Sequence, residues 1–71
     1  MSERDACELL VERYGAQRAR TLLGAWRMLA LYGEAELLRR RWIGRTGLQM
    51  VLRDLRLAGV PWPALGEEWG G

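Results

Sequence analysis

The sequence contains no histidine, no lysine and no phenylalanine, and its 71 residues include a single cysteine, Cys7. One cysteine cannot form an intrachain disulfide, and without histidine or a second thiol no Cys/His metal site can be built. Acid–base or nucleophilic catalysis would depend on carboxylates alone. We therefore expect a protein that is not an enzyme and binds no cofactor or metal, in a reducing, cytoplasmic setting.

Long apolar runs are also missing. The longest run of uncharged, mainly apolar residues is the ten residues 57–66, far short of the roughly 20 residues of a membrane helix, and no signal-peptide pattern opens the sequence. A chain of this length buries only about 60% of the surface that its unfolded form exposes. We therefore expect no membrane contact, and a partner subunit in the form of a homodimer.

The charges are unevenly distributed. All 11 basic residues are arginine. Residues 1–12 carry a net charge of −3, residues 13–56 carry +7 from ten arginines against three acids, and residues 57–71 carry −2. A GC-rich coding bias would explain the missing lysine but not the scarcity of acids in the middle. The basic centre favours an anionic partner.

The composition predicts an all-α fold. Leu, Ala, Arg and Glu dominate, and no β-branched residues alternate with polar ones in a run. Glycines at plausible helix ends predict four helices. The first begins at the N-cap Ser2 and stops at Gly15; the others span about 16–32, about 34–42, and about 46 or 47 to 58. We predict one helical domain at 1–60 and an extended Pro/Gly/Trp tail at 61–71.

Apolar residues at helical spacing predict the core. The predicted inward positions are Ala6, Leu9, Leu10, Tyr14, Ala19, Leu22, Leu23, Trp26, Leu29, Ala30, Leu37, Leu38, Trp42, Leu48, Val51, Leu52 and Leu55. Met28 and Leu31 widen the stripe of the second helix and predict that it is covered on more than one side. Gly24 within that helix is expected to let another helix approach closely, and Cys7 to be a small buried hydrophobe.

Residues 34–60 form a short helix, a glycine-containing turn and a longer helix that ends in Ala58-Gly59-Val60. This layout, with its L-R-x-L-R-x-x-G-V ending at residues 52–60, resembles the helix-turn-helix of bacterial and phage DNA-binding domains. The resemblance covers about 27 of the 71 residues. It implies that the last helix lies in the DNA major groove.

The outward face of the last helix predicts the site. With Leu48 at the centre of the buried face, Arg53 lies about 140° away and faces outward. Arginine pairs bidentately with guanine and glutamine with adenine, and flanking arginines neutralise phosphates. The predicted base contacts are Arg45, Thr46, Gln49, Met50 and Arg53. The predicted phosphate contacts are Arg39, Arg40, Arg41 and Arg56.

These residues predict a sequence-specific DNA-binding protein: a small transcriptional regulator, or an accessory factor for replication or mobile DNA, acting as a homodimer on double-stranded DNA.

The alternative is a helical module that binds a partner protein, such as a polymerase subunit, or that self-assembles. Met50 and Leu57 face outward, and Trp62 and Trp69 in the tail are expected to dock on the domain or on a partner. On this alternative the arginines are solvated charges, and the run at 39–41 only stabilises a helix end. RNA binding is less favoured because the sequence predicts no exposed aromatic pair for stacking bases.

Overall fold

The computed structural model describes residues 1–62, which fold into four α-helices without a strand. They are α1 (Glu3–Tyr14), α2 (Ala16–Tyr32), α3 (Glu34–Arg39) and α4 (Arg45–Leu57). The longest helix, α2, packs against each of the other three. The predicted all-α fold of four helices is confirmed. No helix in the described range is both long and apolar enough to cross a membrane.

The first two connections are single glycines. Ser2 caps α1 as predicted, its Oγ accepting a hydrogen bond from the Asp5 N–H at 3.1 Å. Gly15 (φ 87°, ψ 166°) and Gly33 (φ 82°, ψ 167°) each end one helix and begin the next. Since side chains are essentially excluded from this backbone region, glycine is required for such abrupt corners. The predicted bounds of the first two helices are confirmed.

The predicted stripes supply the core. The buried apolar residues are Ala6, Leu10, Ala19, Leu22, Leu23, Trp26, Leu29, Leu37, Leu48, Val51, Leu52, Leu55 and Val60. Several predicted inward residues are only half-buried; these are Leu9, Tyr14, Met28, Ala30 and Leu38. Cys7 is half-buried as well, so the prediction that it is buried was wrong.

Two expectations for α2 were wrong for the same reason. Leu31 was expected to widen the buried stripe, but it is 69% exposed. Gly24 was expected to let another helix approach closely, but no atom lies within 4 Å of the position that a Cβ would occupy there. Within residues 1–62, α2 is therefore covered on the face of Trp26 and Leu29 and left open on the opposite side.

The third helix is shorter than predicted. It ends at Arg39, and the chain turns sharply through Arg41, which has a φ of 59°. The turn places Trp42 outside the core, 46% exposed, so the prediction that Trp42 faces inward was wrong. The fourth helix begins at Arg45, one residue before the predicted range.

The chain after α4 packs on the domain. Val60 is buried, and the indole Nε1 of Trp26 donates a hydrogen bond to the carbonyl oxygen of Pro61 at 2.8 Å. Trp62 is half-buried against the core. Of the two docking places expected for Trp62, the domain or a partner, the structure shows the domain. The rest of the predicted tail, including Trp69, lies outside the described residues.

Candidate nucleic-acid interface

The turn before α4 is built by a Schellman motif with an unusual residue. The Trp42 N–H donates to the Leu37 carbonyl at 3.2 Å, and the Arg41 N–H donates to the Leu38 carbonyl at 3.1 Å. This pair of bonds places Arg41 at the left-handed position, which is normally glycine. For a residue with a Cβ, the left-handed conformation costs about 1–2 kcal/mol.

The end of α4 repeats the motif with the usual residue. The Val60 N–H donates to the Leu55 carbonyl at 2.9 Å, the Gly59 N–H donates to the Arg56 carbonyl at 3.0 Å, and Gly59 has a φ of 79°. The G-V ending noted in the sequence is therefore a helix stop, with Gly59 in the left-handed conformation and Val60 buried. The left-handed position of the Schellman motif is thus occupied by glycine at residue 59 and by arginine at residue 41.

The first turn of α4 also contains residues that a helix N-terminus does not favour. Gly44 is the N-cap and provides no side-chain hydrogen bond, and the first turn has no acidic residue. Arg45 lies there instead, although the positive end of the helix dipole favours acids. The free amide groups and Arg45 together make this end of α4 attractive to an anion.

The outer face of α4 is exposed as predicted. Leu48, Val51, Leu52 and Leu55 are buried against the domain. All the residues predicted to contact bases are exposed; these are Arg45, Thr46, Gln49, Met50 and Arg53. Met50 and Leu57 are 47% and 54% exposed, so the face is not purely polar.

Asp54 is the one carboxylate on α4, and it is buried, with only 8% of its surface exposed. Arg18 reaches it from α2, with Nη2 2.8 Å from Oδ2, while Arg53 Nε lies 3.5 Å from Oδ1. The hydrogen bond from Arg18 lowers the pKa of Asp54 despite the opposing effect of burial. Arg18 therefore holds most of this negative charge, and the side chain of Arg53 stays 62% exposed.

Two of the predicted phosphate-binding arginines share one carboxylate. Glu36 accepts from Arg39 at 2.7 Å and from Arg40 at 2.5 Å. These bonds lower the pKa of Glu36 to about 2, so it is ionised near neutral pH. One negative charge against two guanidinium groups leaves a net positive charge, and both arginines remain exposed.

Of the six arginines between residues 39 and 62, three have no carboxylate within 4.0 Å in the described part of the chain; these are Arg41, Arg45 and Arg56. Arg56 lies over the ring of Trp62, 5.8 Å from its centroid, and is exposed. From residue 39 to residue 62 the chain has six arginines and one carboxylate, Asp54. The structure thus brings the predicted arginines onto the α3–α4 turn and the outer face of α4.

Sequence reasoning missed an exposed aromatic pair. Tyr32 and Trp42 are 42% and 46% exposed and pack edge to face, with ring centroids 5.1 Å apart. The guanidinium of Arg40 lies 5.6 Å from the Trp42 centroid. The expectation that no exposed aromatic pair exists was wrong, because the left-handed turn at Arg41 directs Trp42 outward.

Across residues 1–62, no group of three or more cysteine and acidic side chains is placed to hold a metal ion. No protein-family model, characterised protein or solved structure matches the chain.

Proposed function

We propose that this protein binds double-stranded DNA through the α3–α4 turn and the outer face of α4. We name this surface the arginine face; its members are Arg39, Arg40, Arg41, Arg45, Thr46, Gln49, Met50, Arg53 and Arg56. The observation that carries the proposal is that all these side chains are exposed, while the one carboxylate on α4 is held by Arg18.

The proposed roles follow from position and partner. Arg41 and Arg56 have no carboxylate partner in the described range, and Arg39 and Arg40 share Glu36, so these four are suited to phosphates. The residues proposed to contact base edges are Arg45, Thr46, Gln49, Met50 and Arg53. Arginine and glutamine offer bidentate bonds to guanine and adenine, and Met50 is suited to the methyl group of thymine.

Two members of the arginine face occupy positions where folding alone would favour another residue. Arg41 adopts a conformation that favours glycine, and Arg45 lies in a first helical turn that favours an acid. Local rules are most often broken at functional positions. An anionic ligand at this corner of the molecule accounts for both departures.

The decisive measurement is the salt dependence of binding to a fluorescein-labelled random 20-base-pair duplex, followed by fluorescence anisotropy. With about six phosphate contacts, log K should fall against log salt with a slope near −5. Arg41→Ala and Arg56→Ala should each reduce the slope by about 0.9. Arg13→Ala, which removes an exposed α1 arginine without a carboxylate partner in residues 1–62, should leave the slope unchanged. Absence of binding at low salt would refute the proposal.

Sequence recognition is a separate part of the proposal. Arg53→Ala and Gln49→Ala should lower affinity for a selected site by about 1–3 kcal/mol each while leaving the affinity for random duplex nearly unchanged. The selected site is expected to be palindromic, with half-sites about 34 Å apart, because a homodimer presents two copies of α4. If these variants bind the selected site as tightly as the parent, α4 does not read the DNA sequence and only non-specific binding remains. Regulation of transcription, or assistance to replication or mobile DNA, is the role we propose for such recognition.

The second candidate function is binding of a protein through α4, favoured by the exposure of Met50 and Leu57. Leu57→Ser separates the two functions because serine removes apolar contact without changing charge. DNA binding through the arginine face predicts nearly unchanged affinity for duplex in this variant. A protein-binding α4 with only incidental basic charge predicts no specific duplex site at all.

A further inference from the structure

The open side of α2 forms a groove that the proposed function does not use. It lies between α2 and the turn after α3, with a volume of about 340 Å³. Its floor is formed by Gly24, Ala25 and Met28, and Trp42 and Ile43 form a wall. Arg20 lies at the rim, and we call this feature the Gly24 groove.

Gly24 has no role within the described chain that requires glycine. It lies inside a helix, where glycine is less favourable than every residue except proline. Its backbone has no positive φ, and nothing lies within 4 Å of the position of a Cβ. The missing side chain therefore keeps the floor of the groove open without improving the packing of residues 1–62.

The groove combines apolar walls with positive charge. Its lining contains no acidic residue in the described part of the chain. Arg20 is exposed and has no carboxylate within 4.0 Å there, and the guanidinium of Arg40 lies over Trp42. Trp, Tyr and Arg are the residues most often responsible for affinity at protein interfaces. The complementary occupant is an apolar side chain flanked by carboxylates.

The chain itself presents such a segment on α1. Val11 is 41% exposed, and it lies between Glu8 and Glu12, both exposed. Glu12 has no arginine within 4.0 Å in residues 1–62. Glu8 lies one helical turn before Val11 on the same side of α1, and Glu8, Val11 and Glu12 together border the cleft between α1 and α2.

We propose that the Gly24 groove binds α1 of a second copy of this chain, with Val11 over Gly24 and Glu12 paired with Arg20. In a two-fold homodimer the contact is reciprocal, with each copy contributing both its groove and its α1. It provides the association expected for a chain too small to bury a large core. The contact does not require DNA binding, and the lining of the groove includes no member of the arginine face.

Sedimentation equilibrium of the full chain without DNA tests the contact, with circular dichroism to verify folding. The parent should show a mass above 8.1 kDa that increases with concentration. Gly24→Gln should raise the melting temperature by about 3 °C, since glutamine is the better helix former, and should return the mass to that of a monomer. Loss of association together with a gain in stability cannot be attributed to unfolding.

Charge reversal identifies the partner surface. Arg20→Glu and Glu12→Arg should each be monomeric, because each opposes like charges across the contact. An equimolar mixture should associate again, since every contact between the two variants then joins opposite charges. Arg13→Glu, at an exposed α1 position outside the groove, serves as the matched control and should associate like the parent.

A parent chain that stays monomeric up to about 1 mM would overturn the proposal, since that concentration still detects contacts of about 4 kcal/mol. A Gly24→Gln variant that associates like the parent, or a mixture of the charge-reversed variants that stays monomeric, would overturn it as well. The salt-dependent binding of duplex by the arginine face is measured separately, so the two proposals can fail independently.

Discussion

Replacing Arg41 by glycine should make the protein more stable and weaken its binding to DNA. Arg41 has a φ of 59° at the left-handed position of the Schellman motif that ends α3. Relief of the steric cost gains about 1–2 kcal/mol, and the greater freedom of glycine in the unfolded chain costs about 0.5–1 kcal/mol. The net gain should be about 0.5–1 kcal/mol, equivalent to about 4 °C in melting temperature.

Urea denaturation followed by far-UV circular dichroism measures this gain. Gly59 provides the reciprocal control, because it occupies the same position in the motif that ends α4. A Cβ at Gly59 meets nothing within 4 Å, so the cost of Gly59→Ala is conformational and should be about 0.5–1 kcal/mol, the same balance with the opposite sign. If Arg41→Gly lowers stability, or Gly59→Ala has no effect, the conformational reasoning is refuted.

The binding half of the prediction uses a third variant. Arg41→Ala keeps a Cβ in the left-handed position and should therefore have nearly the stability of the parent. Both Arg41→Ala and Arg41→Gly should reduce the salt slope of duplex binding by about 0.9, since each removes one phosphate contact. If both variants bind duplex with the slope of the parent, Arg41 contacts no phosphate, and another reason for its conformation is needed.

Three further outcomes follow from the local structure. Arg45→Glu should raise stability by about 0.5 kcal/mol in urea denaturation, because an acid suits the first turn of α4. It should also weaken duplex binding in the anisotropy assay, because it places a negative charge on the arginine face; lower stability would contradict this reasoning. Asp54→Asn should lower stability by about 1 kcal/mol at pH 7, a modest figure because the Arg18 side chain is 40% exposed to screening water. The folded pKa of Asp54 lies below its ordinary 3.8, so the difference in stability between Asp54→Asn and the parent should shrink as the pH falls below that value. If the urea midpoints of the two proteins differ by the same amount at pH 7 and at pH 3, the ionised Asp54 is not the cause of the difference. Ser2→Ala should cost about 1 kcal/mol and Ser2→Asp much less, because aspartate also caps α1; equal losses in the two variants would mean that the cap contributes nothing.

The helices themselves were predictable because the signals are local. Ser2 followed by acids, and single glycines at 15 and 33, mark helix ends through backbone preferences that do not depend on the rest of the molecule. The apolar spacing around Trp26 identified the buried face of α2 correctly, and that around Leu48 did so for α4. The exposure of the predicted DNA-contacting residues of α4 follows from the same periodicity.

Several features of the candidate site were not predictable in this way. No glycine marks the left-handed turn at Arg41 in the sequence. The prediction therefore continued α3 to Trp42 and placed the side chain of Trp42 in the core. The burial of Asp54 was not predicted, because its partner, Arg18, lies 36 residues earlier on another helix. A helical wheel describes one helix alone and has no information about charges that approach from a neighbour.

Local sequence signals were enough to establish an all-helical domain, the ends of its first two helices, and the side of α4 that carries arginines. Those properties depend on backbone preferences and on a periodicity of about 3.6 residues, which act within a few positions along the chain. Only the tertiary structure decided that Arg18 neutralises Asp54, that Trp42 faces outward, and that the space beside Gly24 stays open. Each of these depends on how separate helices pack, since packing brings together residues that are distant in sequence.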